Sequence, residues 1–271
     1  MPKLIDFHAH IYPDAIARRA VEGIERFYGV SLCVGNGTTA ELVALLEHYR
    51  VSAVVCHAVA TTPHQVGHIN DFIAGEARRH SALIPFMTLH PALSVAEIKA
   101  EYRRARDLGC RGVKLHPDFQ GFALDGEECA AVMQEIDPDF PVLFHTGDKR
   151  FAYSHPRQMI ALAKRFPTHT LIAAHLGGFS EWEDAEGYLE VPNVRLDTSS
   201  TLPFLPPERV AELMRKIGIE RFLFGTDYPM WSYRDELALF ERLSLTSEEL
   251  NAVLYDNAAK LLGFSPSDSQ K

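Results

Sequence analysis

The stretch LIDFHAH, residues 4–10, opens the pattern that decides the fold of this chain. Side chains alternate across a β-strand, so the apolar residues at positions 5, 7 and 9 share one face, and Asp6, His8 and His10 share the other. An apolar face opposite a face of metal-ligand residue types is expected of a strand whose end lines a barrel mouth. Two histidines on one strand face can bind a divalent ion, or they can be buried structural histidines.

Seven further apolar runs follow the first one, and amphipathic stretches separate them. The runs cover residues 53–58, 83–89, 112–116, 142–145, 171–175, 194–198 and 222–227. This alternation predicts βαβ units and a parallel sheet. Eight strands in 271 residues favour a single-domain (β/α)8 TIM barrel over residues 1–264, with a polar tail at 265–271. A doubly wound open sheet is the alternative, but HAHIYP (residues 8–13) stands where such a sheet often carries a glycine-rich loop.

Helix start signals fall between these runs. Capping-box patterns begin at Ser94, Ser180 and Thr246, each with a glutamate three residues later. Pro206 and Pro207 precede a helix predicted over residues 208–217. Two more helices are expected after the eighth strand.

The composition indicates which classes of partner the protein binds and in which cellular compartment it is expected. The net charge of -9 argues against a nucleic-acid or anionic-membrane partner, so we expect a small-molecule substrate. The four cysteines are widely spaced and form no CxxC pair, which indicates reduced thiols in a cytoplasmic protein. There is no signal-peptide pattern and no apolar run long enough for a transmembrane helix. A homodimer is compatible with the sequence.

Three later strand ends repeat the residue types of the first strand. His145, His175 and Asp227 each follow an apolar run and precede a glycine or turn residue. Each is therefore expected where a strand meets a catalytic loop, since barrel enzymes keep their active sites at the carboxyl ends of their strands. A purely structural metal site is the non-enzymatic alternative. Donors from different strand ends suit an open site better than a closed one.

In this arrangement the chain resembles the amidohydrolase superfamily, in its amidohydrolase-related (amidohydrolase 2) branch of metal-dependent TIM-barrel enzymes. The matching motifs are DFHAH (6–10), GVKLHP (112–117), the two later strand-end histidines, and FGTDYP (224–229). The resemblance implies that His8, His10, His145 and Asp227 bind a divalent metal. Zinc is expected, with manganese, iron or nickel as alternatives. It also implies that His175 either orients or deprotonates a bound water or binds a second metal, so the chain would hold one or two ions.

Lys114 and His116 share a face of the fourth strand, and each has two possible roles. Lys114 resembles lysines of urease and dihydroorotase that are carboxylated and bridge two metals, which requires a neutral, buried amine. Otherwise it stays an ammonium and pairs with a carboxylate of the substrate or the protein. His116 would hydrogen-bond a substrate oxygen or line the wall. Asp6 and Asp197 are expected to support ligands rather than bind metal.

Two reactions fit these motifs. In a hydrolase, a metal-activated water would attack an amide, lactone or ester-type bond, with Asp227 moving the proton and His175 aiding at the oxyanion. In a nonoxidative decarboxylase, the same ligands would serve a small, aromatic carboxylic acid. The short chain favours hydrolysis, because decarboxylases of this branch are expected to carry larger insertions.

Overall fold

The eight predicted strands are all present. The computed structural model describes residues 3–29, 31 and 33–264. In them, one sheet holds the strands in the order β1 to β8. Together with the helices that alternate with the strands, this order confirms the (β/α)8 barrel. The strands are β1 Ile5–His10, β2 Ala53–His57, β3 Leu83–Thr88, β4 Gly112–Leu115, β5 Val142–Phe144, β6 Leu171–Ala173, β7 Val194–Asp197 and β8 Phe222–Leu223.

Helices occupy the stretches between the strands and the end of the chain. The α-helices are α1 Asp14–Tyr28, α2 Thr39–Tyr49, α3 Val66–Arg79, α4 Val95–Asp107, α5 Pro117–Gln120, α6 Glu127–Gln134, α7 Pro156–Arg165, α8 Pro207–Ile217, α9 Tyr233–Phe240, α10 Ser247–Asn251 and α11 Asn257–Leu261. Short 3₁₀ segments lie at Pro63–Gln65, His175–Gly177, Trp182–Glu190 and Ile219–Arg221. A π-helical turn at Ala252–Asp256 joins α10 to α11.

The described residues divide into two compact units. The first unit holds residues 3–56, 79–84 and 198–264 apart from the undescribed positions, and the second holds residues 57–78 and 85–197. The predicted polar tail, residues 265–271, lies outside the described residues.

In the second unit, parallel pairing brings three predicted site histidines to one edge of the sheet. Lys114 is in register with Leu143, and Leu143 with Ile172. The backbone N–H of His145 donates to the Leu115 carbonyl at 3.0 Å, so the ladder continues just past β5. His116, His145 and His175 therefore follow three neighbouring strands at their carboxyl ends.

In the first unit, β1 and the residues after β8 are joined by backbone hydrogen bonds. Asp227 N–H donates to the His8 carbonyl at 2.8 Å, and His10 N–H donates to the Tyr228 carbonyl at 2.6 Å. The regular part of β8 ends at Leu223 and is much shorter than predicted. The next three N–H groups donate outside a strand ladder: Phe224 to the Val253 carbonyl, Gly225 to the Thr198 hydroxyl and Thr226 to the Asp6 carboxylate. The Asp227 side chain is thereby held beside both histidines of β1.

Two of the three predicted capping boxes are confirmed. Ser94 and Thr246 each accept a hydrogen bond from the backbone N–H three residues later. The third is wrong: the segment after Ser180 is the 3₁₀ helix Trp182–Glu190, and Glu181 precedes it. Ser180 has a left-handed φ of 61° and its hydroxyl accepts from the Lys149 N–H, so it is not available as a cap.

The four cysteines are free thiols, as predicted. Among the residues that the structure describes, no helix has both the length and the apolar character of a membrane span.

Candidate metal centre

The ligands predicted on β1 and after β8 converge within the first unit. Nε2 of His8 lies 3.4 Å from Asp227 Oδ1, and Nε2 of His10 lies 3.3 Å from the same oxygen. Two donors on one tetrahedral zinc ion are about 3.3 Å apart, since each ligand bond is about 2.0–2.1 Å long. All three side chains are buried. Their spacing and chemistry therefore fit a divalent ion.

Two serines after β7 hold these donors in place. The Ser199 hydroxyl lies 3.1 Å from Nδ1 of His8, the nitrogen opposite the one that faces Asp227. The Ser200 hydroxyl donates to Asp227 Oδ2 at 2.5 Å and accepts from the Trp231 indole N–H at 2.8 Å. Sequence reasoning did not identify these residues. The hydroxyl-rich run TSST (198–201) directly after a predicted strand was the available signal.

Asp6 supports the predicted ligands of the first unit. Its carboxylate accepts hydrogen bonds from the His8 N–H, from the Thr226 N–H and hydroxyl, and from the Tyr233 hydroxyl. Complete burial raises the pKa of Asp6 to about 6, against the lowering effect of these bonds. Since the His8 N–H and the Thr226 N–H both donate to this carboxylate, Asp6 aligns the backbone at His8 and immediately before Asp227.

The ligands predicted after β5 and β6 converge within the second unit. Nδ1 of His145 lies 2.9 Å from Nε2 of His175. On its other side, Nε2 of His145 lies 3.1 Å from the carbonyl oxygen of Gly147. A carbonyl oxygen only accepts, so this contact is a hydrogen bond when Nε2 carries the proton. Nδ1 of His145 is then the nitrogen with the lone pair, and it faces His175.

The backbone at two predicted site residues adopts the left-handed conformation. His175 has φ of 59° and Asp227 has φ of 58°. Such conformations are uncommon for residues other than glycine, although Asp and His tolerate them better than most. The His175 N–H donates to Asp197 Oδ1 at 3.1 Å, and the His175 carbonyl accepts from the Trp182 indole. Strain of this kind is concentrated at functional sites, where the surroundings hold it in place.

His116 is packed between two rings rather than projecting from the fourth strand. It stacks on Phe119 and on His145, with ring centroids 3.9 Å apart in each pair. Its Nδ1 accepts the Phe119 N–H and caps the short helix α5. Its predicted contact with a substrate stays a prediction.

A buried carboxyl group, Asp118, lies beside this ring stack. Its Oδ2 accepts the Ser154 hydroxyl at 2.6 Å and lies 3.6 Å from His145 Nε2. Burial, reinforced by the negative charges of Asp148 and Glu181, raises the pKa of Asp118 to about 7. Sequence reasoning did not single out Asp118 or Ser154, because neither stands at a strand end.

Lys114 lies on β4 with its side chain buried at 1% exposure. That burial is compatible with both predicted forms, the carboxylated bridge and the ammonium ion. Within their own units, then, His8, His10 and Asp227 come together, and so do His116, His145 and His175.

A sequence model of the amidohydrolase family matches residues 5–264. The chain belongs to this family. The motifs that carry the resemblance lie within the matched range. No protein of curated function matches the sequence.

Solved structures with the same fold include an uncharacterised TIM-barrel protein from Bordetella bronchiseptica. It is 20% identical, with a TM-score of 0.78 over 97% of this chain and 99% of that one. A dihydroxybenzoic acid decarboxylase from Polaromonas with bound manganese is 15% identical, with a TM-score of 0.70 over 100% and 99%. A 5-carboxyvanillate decarboxylase from Novosphingobium aromaticivorans, also with manganese, is 15% identical, with a TM-score of 0.76 over 97% and 96%. At these identities the likeness establishes the fold.

Family membership and the donor set together support a divalent metal cofactor for this enzyme. The family is named for hydrolysis, and solved structures of the same fold include decarboxylases with bound manganese.

Proposed function

We propose that this chain is a metal-dependent hydrolase acting on an amide, lactone or ester-type bond of a small molecule. The observation that carries the proposal is the placement of the Asp227 carboxylate. Its Oδ1 lies 3.3 and 3.4 Å from two imidazole nitrogens, while Oδ2 is held by Ser200. A carboxylate fixed beside metal donors can accept a proton from an attacking water and return it to the leaving group.

The residues that would hold the ion are His8, His10 and Asp227, joined by His145 on the family pattern. A bound divalent ion would supply Lewis acidity to a water molecule and to the substrate carbonyl. Zinc suits this set of imidazole and carboxylate donors, and manganese suits it as well. The manganese of two decarboxylase neighbours supports testing both metals.

His175 and Lys114 complete the proposed machinery. His175 would orient the water or stabilise the developing oxyanion, or would bind a second ion. His145 Nδ1 lies 2.9 Å from Nε2 of His175, and this contact is compatible with each of these roles of His175. Lys114, if carboxylated, would bridge two ions; as an ammonium it would pair with a carboxylate of substrate or protein.

The experiment is reconstitution with zinc and with manganese, followed by metal counting and assay of ester, lactone and amide substrates. We expect at least one ion per chain and turnover that is lost in Asp227→Asn. Failure of the reconstituted chain to retain any divalent ion, or full metal content in His8→Ala, would overturn the proposal.

The second candidate is a nonoxidative decarboxylase of a small, aromatic carboxylic acid. Decarboxylases from two organisms share the fold over nearly their whole length. The aligned range covers 99% and 96% of those two chains. The expectation that decarboxylases of this branch carry larger insertions stays a prediction. Carbon dioxide release from a 2-hydroxybenzoate-type acid would favour this reaction. Two ions per chain with a carboxylated Lys114 would favour hydrolysis.

We further propose a small-molecule substrate and no nucleic-acid or membrane partner, supported by the net charge of -9. A cytoplasmic location is proposed as well, supported by the widely spaced cysteines without a CxxC pair. A homodimer is compatible with this proposal and is tested by light scattering.

A further inference from the structure

The His145 ring is restrained on several sides within the second unit. One face stacks on His116, with 3.9 Å between centroids and 7° between planes. Its Nδ1 edge faces His175, and its Nε2 edge faces the Gly147 carbonyl at 3.1 Å. The hydrogen bond to Gly147 requires the proton on Nε2, which leaves Nδ1 as the donor for an ion.

A carboxylate stands next to that Nε2–H. Asp118 Oδ2 lies 3.6 Å from Nε2, beyond a direct hydrogen bond but within range of a strong electrostatic interaction. The Asp118 side chain has no solvent exposure. Its other oxygen, Oδ1, has no hydrogen-bond partner among the described residues.

Ser154 ties this carboxylate to the same carbonyl that His145 uses. Its hydroxyl oxygen lies 2.6 Å from Asp118 Oδ2 and 2.6 Å from the Gly147 carbonyl oxygen. One hydroxyl proton serves either acceptor at a given moment, and both contacts keep the carboxylate and the carbonyl together. Burial of a carboxylate is unfavourable in free energy unless the charge is compensated. The position of Asp118 beside an imidazole N–H therefore indicates a function.

A second metal ion at this point would be another use for Asp118, because donor atoms of His116, Asp118 and His145 lie within 4.8 Å of one another. The ring geometry argues against it. Lone pairs of imidazole nitrogens lie in the ring plane, and two rings that are 7° from parallel and stacked do not direct them at one point. The cluster is better suited to orienting His145 than to chelating an ion.

We propose that Asp118, held by Ser154, is a positioning residue for the metal ligand His145. When Asp118 is ionised, its negative charge beside Nε2–H favours the tautomer with the lone pair on Nδ1 and makes that nitrogen a stronger donor. Carboxylates placed in this way behind metal-bound histidines raise metal affinity by about 10–100-fold. The inference rests on the proposed role of His145 as a ligand.

The test measures zinc affinity of the full chain by competition with a chromophoric chelator. We expect Asp118→Asn to weaken zinc binding by about 10–100-fold, and Ser154→Ala to weaken it by a smaller factor in the same direction. The matched control is Asp139→Asn, which removes one exposed negative charge from the same unit. We expect wild-type affinity there.

A second readout follows the coordination itself. The visible absorption of the cobalt-loaded protein should change in Asp118→Asn and not in Asp139→Asn. Thermal unfolding in the presence of a chelator establishes that each apo variant is folded, and Ser154→Ala carries the test if Asp118→Asn is not.

The outcomes separate the two proposals. If the wild-type chain binds no zinc, the proposed metalloenzyme fails. If the wild-type chain binds zinc and both Asp118→Asn and Ser154→Ala bind it equally well, the positioning role is overturned. Equal weakening in Asp118→Asn and Asp139→Asn overturns it too, because the effect would then be one of overall charge.

Discussion

The two groups of predicted ligands are held by different kinds of contact. In the first unit, His8 and Asp227 lie on directly hydrogen-bonded segments, and the hydroxyls of Ser199 and Ser200 contact their side chains. In the second unit, His145 is held by ring stacking and by a backbone carbonyl. A substitution of Ser199 or Ser200 by alanine removes a single hydroxyl group that supports the first group. The second group depends on ring packing and on a buried carboxyl group. Its supporting contacts join residues at most 36 positions apart, whereas Ser199 and His8 are 191 positions apart.

The comparison predicts that the largest loss comes from the carboxylate of the first group. Asp227→Asn should lower kcat/KM by about 10²–10⁴-fold, because the proton acceptor is lost. The measurement is steady-state kinetics on the metal-loaded enzyme, with the exposed Asp107→Asn as control. Activity within tenfold of wild type would remove Asp227 from the proton path.

Buried acids also make the first unit sensitive to alkaline pH. Glu236 is fully buried, and neither carboxyl oxygen has a hydrogen-bond partner among the described residues. Burial, with the negative charges of Asp227, Asp6 and Asp235, raises its pKa from 4.5 to about 8. Because the folded pKa is the higher one, stability is fully present below pH 4.5 and is lost as the pH rises through 8.

Glu236→Gln should therefore be more stable than wild type at pH 9, by at most about 5 kcal/mol, and similar to it at pH 4.5. Denaturant unfolding of the metal-free chain across this range measures the difference. Glu241→Gln, an exposed substitution next to the end of the same helix, should leave the pH dependence unchanged. Parallel stability curves for Glu236→Gln and wild type would contradict the raised pKa.

In the second group, His175→Asn should lower kcat by about 10²–10³-fold, the effect of removing one group that stabilises an oxyanion. Metal counting on the same variant sharpens the comparison. An unchanged count supports the water or oxyanion role, and a loss of one ion supports a second metal. The exposed His64→Asn is the control, and near-normal kcat in His175→Asn would exclude both roles.

The smallest expected effect concerns the hydroxyl support of the first group. Ser200→Ala should lower kcat by about 10–100-fold, since Asp227 Oδ2 loses its donor while the metal ligands stay in place. The exposed Ser244→Ala serves as the control. A rise in KM with normal kcat would instead assign Ser200, with its partner Trp231, to substrate binding.

The sequence alone determined those features of this protein that depend on patterns of neighbouring residues. The alternating apolar runs specified all eight strands. The residue types at strand ends specified His8, His10, His145, His175 and Asp227 as candidate site residues. Ser94 and Thr246 were readable as helix caps because a capping box is complete within four residues. The failure at Ser180 has a tertiary reason, since its hydroxyl is engaged by Lys149, 31 residues earlier in the chain.

Only the tertiary structure decided how the donors are supported. The contact of Ser199 with His8 spans 191 residues of sequence, and that of Ser154 with Asp118 spans 36. No periodicity encodes such pairs, because they arise from the register of strands and the course of loops. The DFHAH stretch determined which residue types could bind a metal. The fold determined which nitrogen of His145 faces His175, because that choice depends on the course of the loop that brings the Gly147 carbonyl to Nε2 and on the His116 ring that follows β4.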